Sequence, residues 1–300
     1  FDRRCGRMRG IMYQSLQDIV NLEIRSGKPF WEIVRDRDCK ELEITAEEAF
    51  HKMEQMYLAM EAADRDYDPA LRSASGLAGQ DGEKIARARA QGTIMCGPLL
   101  GLVMEKAVKM GESNACMRRI VAAPTAGSCG VVPAVLLSLE QEKKYPREEM
   151  VKALYVCAGI GGVIAQRASI SGAAGGCQAE IGAASAMAAG GAAFLCGGDG
   201  EAICHAAALA MKNLLGLACD PVGGLVEVPC VKRNVCGAVN ALTSADLAMA
   251  GIRSRIPPDE VFDAMRSIGR LLPEELRETG KGGLAATPTG IAFREGMETF

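Results

Sequence analysis

The pattern of apolar and polar positions along this chain changes near residue 90. In the first third, charged segments carry apolar residues at helical spacing. The segment from Ser15 to Ser26 places Leu16, Ile19 and Val20 on one face and stops at Gly27, which is typical of a helix C-terminus. This pattern predicts amphipathic helices that bury one face and expose the other.

Two further helices are predicted in the same region, and a loop follows them. Lys28-Pro29 predicts the start of a short helix that ends near Asp38. Thr45 and Glu48 fit a capping box, with Thr45 as the N-cap. The third helix should extend to about Asp66 with one apolar face, formed by Met53, Met56, Tyr57 and Met60, and a loop of small residues should follow at 73–82.

Beyond residue 90 the helical stretches are rich in Ala and apolar all round, as expected for helices buried inside a bundle. The longest uncharged run, from Ile181 to Gly198, is composed mostly of Ala, Gly and Ser, which favours a packed interior helix over a membrane span. No period-2 alternation, internal repeat or linker is evident. We therefore predict one all-α domain over 1–300, with peripheral helices in 1–70 and a multi-helix core of buried helices in 71–300.

Four loops rich in Gly and hydroxyl residues separate these buried helices. They place backbone N–H groups near helix N-termini, where anions are favoured. We expect the loops to converge on one polar site, although for any single loop glycine can simply permit a tight turn. The loops are residues 124–130, 169–177, 219–224 and 280–290.

Composition and charge narrow the function classes. The chain has 34 Lys and Arg against 37 Asp and Glu, so no basic surface for nucleic acid is expected. Dinucleotide and P-loop motifs are absent. The chain has two histidines: His51, predicted at the surface, and His205, either a packed core residue or a site residue. The charged start, without an apolar signal region, predicts a cytoplasmic protein with reduced cysteines.

The twelve cysteines are the strongest chemical signal. Cys177, Cys219 and Cys230 lie at the ends of small-residue loops, whereas Cys157, Cys196, Cys204 and Cys236 lie within predicted helices and should face packing. Thiolates on loops suit soft metal ions and iron–sulfur clusters. No C-x-x-C is present, so zinc ribbons and ferredoxin-type sites are not favoured. Spacing alone leaves a metal site and buried thiols as equal alternatives.

Several long motifs resemble iron–sulfur-dependent L-serine dehydratase (L-serine ammonia-lyase), in particular the alpha chain of its two-chain form. The resemblance covers roughly residues 70–290, and the length of the chain agrees with it. The motifs are Ser169 to Gly182, Met211 to Val222, Gly224 to Asn234, Ala122 to Ser128, Ser254 to Pro257, Leu276 to Gly280, and Gly282 to Gly290.

The resemblance implies a [4Fe-4S] cluster held by Cys177, Cys219 and Cys230, with one iron open to act as a Lewis acid. The implied reaction is β-elimination of water from L-serine, which yields pyruvate and ammonia in amino-acid degradation and gluconeogenesis. A Ser-Ser-Ser-His-Thr type motif associated with the family's active site is missing here. The resemblance therefore implies a beta chain as partner in an oligomer, with His205 the alternative catalytic base that this chain offers.

Substrate contacts are predicted from the same motifs, at Ser171, Arg233, Asn234 and Thr287. Arg233 lies just after the loop from Cys219 to Cys230 (the ligand loop). It could bind a carboxylate through two nitrogens of its guanidinium, or it could instead order the ligand loop through a salt bridge. Three other functions remain open: a related lyase such as L-cysteine desulfidase; a non-catalytic iron–sulfur sensor with a fourth ligand among Cys196, Cys204 and Cys236; and a pyridoxal phosphate enzyme using Lys281 or Lys232.

Overall fold

A computed structural model describes residues 13–297 of the chain. Cys5, expected from the sequence to be a packing or surface thiol, and the charged start of the chain lie outside these residues. Within 13–297 the chain forms thirteen α-helices. They are α1 Leu16–Ser26, α2 Phe30–Leu42, α3 Ala46–Arg65, α4 Asp81–Ala90, α5 Gly97–Ala115, α6 Val131–Lys143, α7 Arg147–Arg167, α8 Gly172–Gly175, α9 Ala183–Leu195, α10 Gly200–Asn213, α11 Cys230–Met249, α12 Pro258–Leu271 and α13 Pro288–Met297.

The prediction of an all-α fold is confirmed. From residue 13 to residue 297 there is no β-strand, and the one isolated bridge joins Cys219 to Arg277. Short 3-10 turns occur at Val222–Gly224, Glu274–Leu276 and Gly283–Ala286, and a π-helical turn, Gln178–Gly182, leads directly into α9. The π turn matters for function because it follows Cys177.

The local signals for α1 and α3 are confirmed. Ser15 caps α1 by accepting the N–H of Asp18 at 3.0 Å, and Gly27 ends the helix with φ at +69°. Thr45 and Glu48 form the predicted capping box of α3. Helix α2 is longer than predicted and extends to Leu42.

One face of α3 differs from the prediction. Its buried stripe passes through Ala49, Tyr57, Met60 and Ala63, whereas Met56 is 47% exposed. At about 100° per residue Met56 falls on the same face as Met60, so its exposure means that neighbouring elements leave this part of the face uncovered. The expectation that Met56 belongs to the buried face is therefore wrong.

Helix α9 lies at the centre of the core and packs against α6, α7, α10 and α11. Small residues allow this close approach. A Cβ at Gly190 would lie 2.1 Å from Ile160 Cδ1, and a Cβ at Gly191 would lie 2.6 Å from Cys157 Sγ. The run beginning at Ile181 is thus a packed interior segment, as predicted. No helix in the described part of the chain is both long and apolar enough to cross a membrane.

A continuous apolar core extends from Leu16 in α1 to Met265 in α12. Two cysteines expected to face this packing do not, because Cys196 and Cys236 are exposed. Cys157 and Cys204 are buried as predicted. The single-domain organisation of 1–300 stays a prediction.

Candidate active site

Three of the twelve cysteines meet where the small-residue loops come together. Cys177 precedes the π turn, Cys219 lies in the loop after α10, and Cys230 is the first residue of α11. They are 2%, 2% and 8% exposed. The thiol of Cys219 donates a hydrogen bond to the sulfur of Cys177, and Cys230 lies close enough to both sulfurs to interact with them electrostatically. The fold thus brings together the three cysteines singled out from the sequence.

These thiols differ in how readily they ionise. The hydrogen bond from Cys219 lowers the pKa of Cys177, and the Arg233 guanidinium lowers it further. The same hydrogen bond raises the pKa of Cys219, because that thiol must keep its proton to donate it. Burial raises the pKa of Cys230 to about 12. The group can therefore hold one thiolate readily, while a positive charge bound among the sulfurs would favour further ionisation.

Glu180, on the π turn, is a site residue that the sequence analysis missed. Its Oε1 accepts a hydrogen bond from Thr125 Oγ1 at 2.7 Å, and its Oε2 lies 3.9 Å from Cys219 Sγ. Burial is the largest cause that raises the pKa of Glu180, and the nearby Glu278 raises it further. The sequence did carry a signal, because Glu180 is the one charged residue between 168 and 198.

Gly172 provides the space in which these groups meet. A Cβ on Gly172 would lie 2.8 Å from Glu180 Oε2, 3.1 Å from Cys219 Sγ and 3.1 Å from Glu278 Oε2. Contacts closer than about 3.4 Å are crowded for carbon, so any larger residue would displace one of these groups. A larger residue at position 172 would thus make the carboxylate ends of Glu180 and Glu278 shift.

Arg233 is held by groups of the chain itself. Its Nη1 donates to the carbonyl of Ala218 at 2.7 Å, and its Nη2 lies 2.9 Å from Asp220 Oδ1. Asp220 is 6% exposed, and its Oδ2 accepts the N–H of Leu284 at 2.8 Å. The salt-bridge alternative considered for Arg233 is therefore the arrangement seen here, and its role in binding substrate stays a prediction.

Asn234 is buried, at 1% exposed, and bonded to three backbone groups. Its Nδ2 donates to the carbonyls of Gly127 and Cys230 at 2.9 and 3.0 Å, and its Oδ1 accepts the N–H of Gly130 at 2.8 Å. These bonds attach the 124–130 loop to the start of α11. Substrate binding by Asn234 stays a prediction, and the observed contacts position Cys230.

The other two predicted substrate contacts are exposed. The N–H of Ser171 donates to Ser169 Oγ at 3.1 Å. Thr287 Oγ1 accepts the N–H of Gly290 at 3.2 Å and donates to the carbonyl of Leu284 at 2.8 Å, so it caps α13. Both hydroxyls lie on loops that reach the site, and their role in binding substrate stays a prediction.

His205 contacts its own helix and the segment at Ser254. Its Nδ1 accepts the N–H of Ser254 at 3.2 Å, and its Nε2 lies 3.5 Å from Glu201 Oε2. Within the described chain, neither contact of His205 involves Cys177, Cys219 or Cys230. Burial and the charge of Arg253 lower the pKa of His205. Its role as a base stays a prediction, while its observed contacts support packing.

Arg277 is a second residue that the sequence analysis did not single out. It is paired with Cys219 in the isolated bridge, where Cys219 N donates to Leu276 O and Glu278 N donates to Cys219 O, each at 2.8 Å. In a β-bridge the side chains of the two paired residues project to the same side of the backbones. The side chains of Arg277 and Cys219 therefore project to the same side. Four arginines have a buried Nε without a hydrogen-bond partner. Arg35, Arg147 and Arg167 pair another nitrogen with a carboxylate, whereas Arg277 has no ion pair within 13–297.

The chemistry of the donor set fits an iron–sulfur cluster. Among the described residues, no three His, Cys, Asp or Glu side chains are arranged to hold one metal ion. Two of the candidate fourth ligands have other neighbours: Cys196 bonds to Tyr145, and the charges nearest Cys204 include Asp259 and Glu201. The donor set is three buried sulfurs beside a carboxylate, which fits a cluster with one iron left open.

Comparison with known proteins places the chain in a family. The sequence pattern of the serine dehydratase alpha chain family matches residues 25–285. The chain belongs to this family. It is 46% identical over 279 residues to the probable L-serine dehydratase alpha chain of Bacillus subtilis, with 93% of each chain covered. The family resemblance seen in the motifs is thereby confirmed.

Two more relatives show how the family is divided into chains. The L-serine dehydratase alpha chain of Peptoniphilus asaccharolyticus is 38% identical over 284 residues, which cover 94% of this chain and 97% of the relative. The L-serine dehydratase of Helicobacter pylori strain 26695 is 34% identical over 281 residues, which cover 92% of this chain but 62% of that protein. The Helicobacter protein therefore has a substantial region that this chain does not match.

Proposed function

We propose that this chain is the alpha chain of an iron–sulfur L-serine dehydratase, which converts L-serine to pyruvate and ammonia by β-elimination of water. The observation that carries the proposal is the meeting of Cys177, Cys219 and Cys230 with Glu180. It stands beside relatives that are named as L-serine dehydratases. In this proposal the three cysteines hold a [4Fe-4S] cluster. When bound, the cluster supplies an open iron as a Lewis acid for the serine hydroxyl.

Residues of this chain form the environment of the proposed reaction. Glu180 lies beside the thiols and accepts the hydroxyl of Thr125 at Oε1, so it can orient a polar substrate group or exchange a proton at Oε2, which faces Cys219. Gly172 leaves the space that substrate needs next to these groups. The buried apolar helices around the site exclude water, which strengthens its charge interactions.

The carboxylate of serine requires a cationic partner. The guanidinium of Arg233 is occupied by Asp220 and Ala218, whereas Arg277 has no carboxylate partner within the described residues. A guanidinium with an unsatisfied buried nitrogen is well suited to bind a carboxylate through both nitrogens of its fork. We therefore include Arg277 with the sequence-derived candidates Ser171, Arg233, Asn234 and Thr287 in the proposed substrate site.

A beta chain completes the proposed enzyme. This chain covers most of two relatives named as alpha chains but 62% of the Helicobacter protein. Ser171 and Thr287, on two of the loops that reach the site, are exposed. A partner that covers these loops would supply the missing histidine-containing motif. Since thiol-ligated iron with an open position is sensitive to oxidation, we further place the assembled oligomer in the reducing cytoplasm.

The test is an anaerobic activity assay of the reconstituted alpha chain, alone and with a beta chain, using L-serine and L-cysteine as separate substrates. We expect iron and sulfide to bind the alpha chain, and pyruvate to form from L-serine only when both chains are present. Turnover of L-cysteine in preference to L-serine would overturn the substrate assignment. Turnover of L-serine by the alpha chain alone, at rates of roughly 1–10³ s⁻¹, would overturn the need for a partner.

A further inference from the structure

A buried carboxylate lies three residues before Cys230 and accepts hydrogen bonds from the small-residue loop at 73–82. Glu227 is 6% exposed and stands three residues before Cys230. Its Oε2 accepts hydrogen bonds from Ser73 Oγ and Ser75 Oγ, each at 2.6 Å. Within 13–297 no lysine or arginine forms an ion pair with it, so these hydroxyls replace the water it would otherwise bind. Removing them would leave a buried carboxylate unsatisfied, which is costly.

The 73–82 segment is itself held firmly against α5. Glu112 of α5 is 1% exposed and accepts the hydroxyl of Tyr67 at 2.6 Å. It also accepts the backbone N–H groups of Gly79, Asp81 and Gly82, at 3.2, 2.8 and 3.1 Å. The three backbone hydrogen bonds from Gly79, Asp81 and Gly82 fix the segment against α5, so it can support the residues that it contacts.

Glycine is required within this support. Gly79 has φ at +121°, in a region that side chains disfavour, and a Cβ there would lie 2.4 Å from the carbonyl oxygen of Leu71. The shape of the segment is thus determined by its own sequence as well as by Glu112.

The same segment contacts the chain on the other side of Cys230. Val231 packs with Ala78 and Val108 in a small apolar cluster. Lys232 Nζ lies 2.7 Å from Asp81 Oδ2. Glu227, three residues before Cys230, and Val231 and Lys232, directly after it, are therefore all attached to 73–82. The N–H of Val231 donates to the carbonyl of Glu227 at 3.0 Å and closes the turn between them.

We propose that residues 73–82 form a clasp that holds Cys230 in place, with Glu227 as the positioning residue through which the clasp acts. The clasp fixes the backbone on both sides of Cys230 and so limits how far its sulfur can move. The consequence for cluster retention rests on the proposed function, whereas the effect on Cys230 itself does not.

The first test uses the full-length, metal-free chain and measures alkylation of each cysteine by iodoacetamide with mass spectrometry. In Glu227→Ala we expect alkylation of Cys230 to become about tenfold faster, because the lost hydrogen bonds lower the cost of local opening. Alkylation of Cys157 should be unchanged. Glu227→Gln keeps an oxygen that both serines can donate to, so it should restore most of the protection.

The control is Tyr57→Phe, which removes a hydroxyl that donates to the carboxylate of Glu140 at 2.9 Å, away from the cysteines. It should leave the alkylation of Cys230 unchanged. If Glu227→Ala does not fold, Ser75→Ala gives the same test from the other partner, with a change in the same direction. Unchanged alkylation of Cys230 in Ser75→Ala and in the folded Glu227 variant would overturn the clasp.

The second test measures iron loss to a chelator after reconstitution. We expect Glu227→Ala to lose iron several-fold faster than the unaltered chain, with Glu227→Gln close to the unaltered rate. If the unaltered chain takes up no iron and sulfide, the proposed function fails while the alkylation result still decides the clasp. If it takes up the cluster and Glu227→Ala retains it equally well, the clasp has no part in holding the cluster.

Discussion

Arg233 and Asp220 form an ion pair across the start of the ligand loop, with 2.9 Å between Nη2 and Oδ1. Asp220 also accepts the N–H of Leu284, so the pair joins α11 to two of the small-residue loops. Arg233 further binds the carbonyl of Ala218, next to Cys219. The arginine is thereby placed to hold the backbone that carries Cys219, a proposed cluster ligand.

Replacing Arg233 with lysine should weaken cluster retention. Lysine keeps the charge but cannot reach Asp220 and Ala218 together, because it lacks the planar fork. Charge-assisted hydrogen bonds contribute roughly 1.5–3 kcal/mol, so we expect iron to be lost about tenfold faster in Arg233→Lys. Iron content and the visible spectrum during chelation provide the measurement. A raised KM for L-serine with a normal spectrum would instead show that Arg233 binds the substrate carboxylate.

Replacing Arg277 with glutamine should leave cluster retention unchanged but weaken the binding of L-serine. This arginine has no ion pair within the described residues, so its loss should leave the cluster intact. If it binds the carboxylate of serine, KM should rise about tenfold or more in the assembled enzyme. Arg118→Gln, at an exposed arginine, is the matched control and should leave KM unchanged. An unaltered KM in Arg277→Gln would remove Arg277 from the substrate site.

Each of the three site cysteines should be essential for iron binding. Cys177→Ser, Cys219→Ser and Cys230→Ser should each lose cluster iron and activity, because serine is a poor replacement for a soft thiolate ligand. Cys196→Ser, at an exposed cysteine, should retain both. Iron and sulfide analysis of the purified variants is the measurement. A full cluster in any one of the three variants would show that its cysteine is not a ligand.

Adding one methyl group at Gly172 should disturb the site without disturbing the fold. In Gly172→Ala the new carbon would crowd Glu180, Cys219 and Glu278, so we expect reduced iron content and activity. Gly162→Ala is the control, because a Cβ at Gly162 of α7 has no neighbour within 4 Å. That change should be neutral or stabilising by up to about 1 kcal/mol. Equal iron content in the two variants would argue against a crowded site at Gly172.

His205 should affect stability in a pH-dependent way. Its pKa is lowered in the folded state, so between its folded pKa and the ordinary value of 6.5 the unfolded chain binds more protons. This contribution to stability is therefore present above about pH 6.5 and is lost as the pH falls toward the folded pKa. Comparing the Tm of the unaltered chain with that of His205→Asn at several pH values checks this. We expect the difference in Tm between the two proteins to shrink as the pH falls. A difference in Tm that stays constant with pH would contradict the lowered pKa of His205.

The sequence by itself determined the helical fold, several helix ends and the family. Ser15, Gly27 and the capping box of Thr45 act through hydrogen bonds within one helical turn. The helix ends that they determine can therefore be predicted from neighbouring residues in the sequence. The uncharged run before Gly198 is too rich in small apolar residues for any place but the interior. Long motifs likewise identified the three cysteines as a set.

The tertiary structure decided which groups of the site have partners. Arg233 and Arg277 are alike in the sequence, yet one pairs with Asp220 and the other does not. Glu180 is a lone acid until the fold brings Thr125, 55 residues earlier in the chain, to its carboxylate. Charge pairing and burial depend on contacts between side chains on loops that are far apart in the sequence. These contacts form only in the folded protein, so spacing along the chain does not predict them.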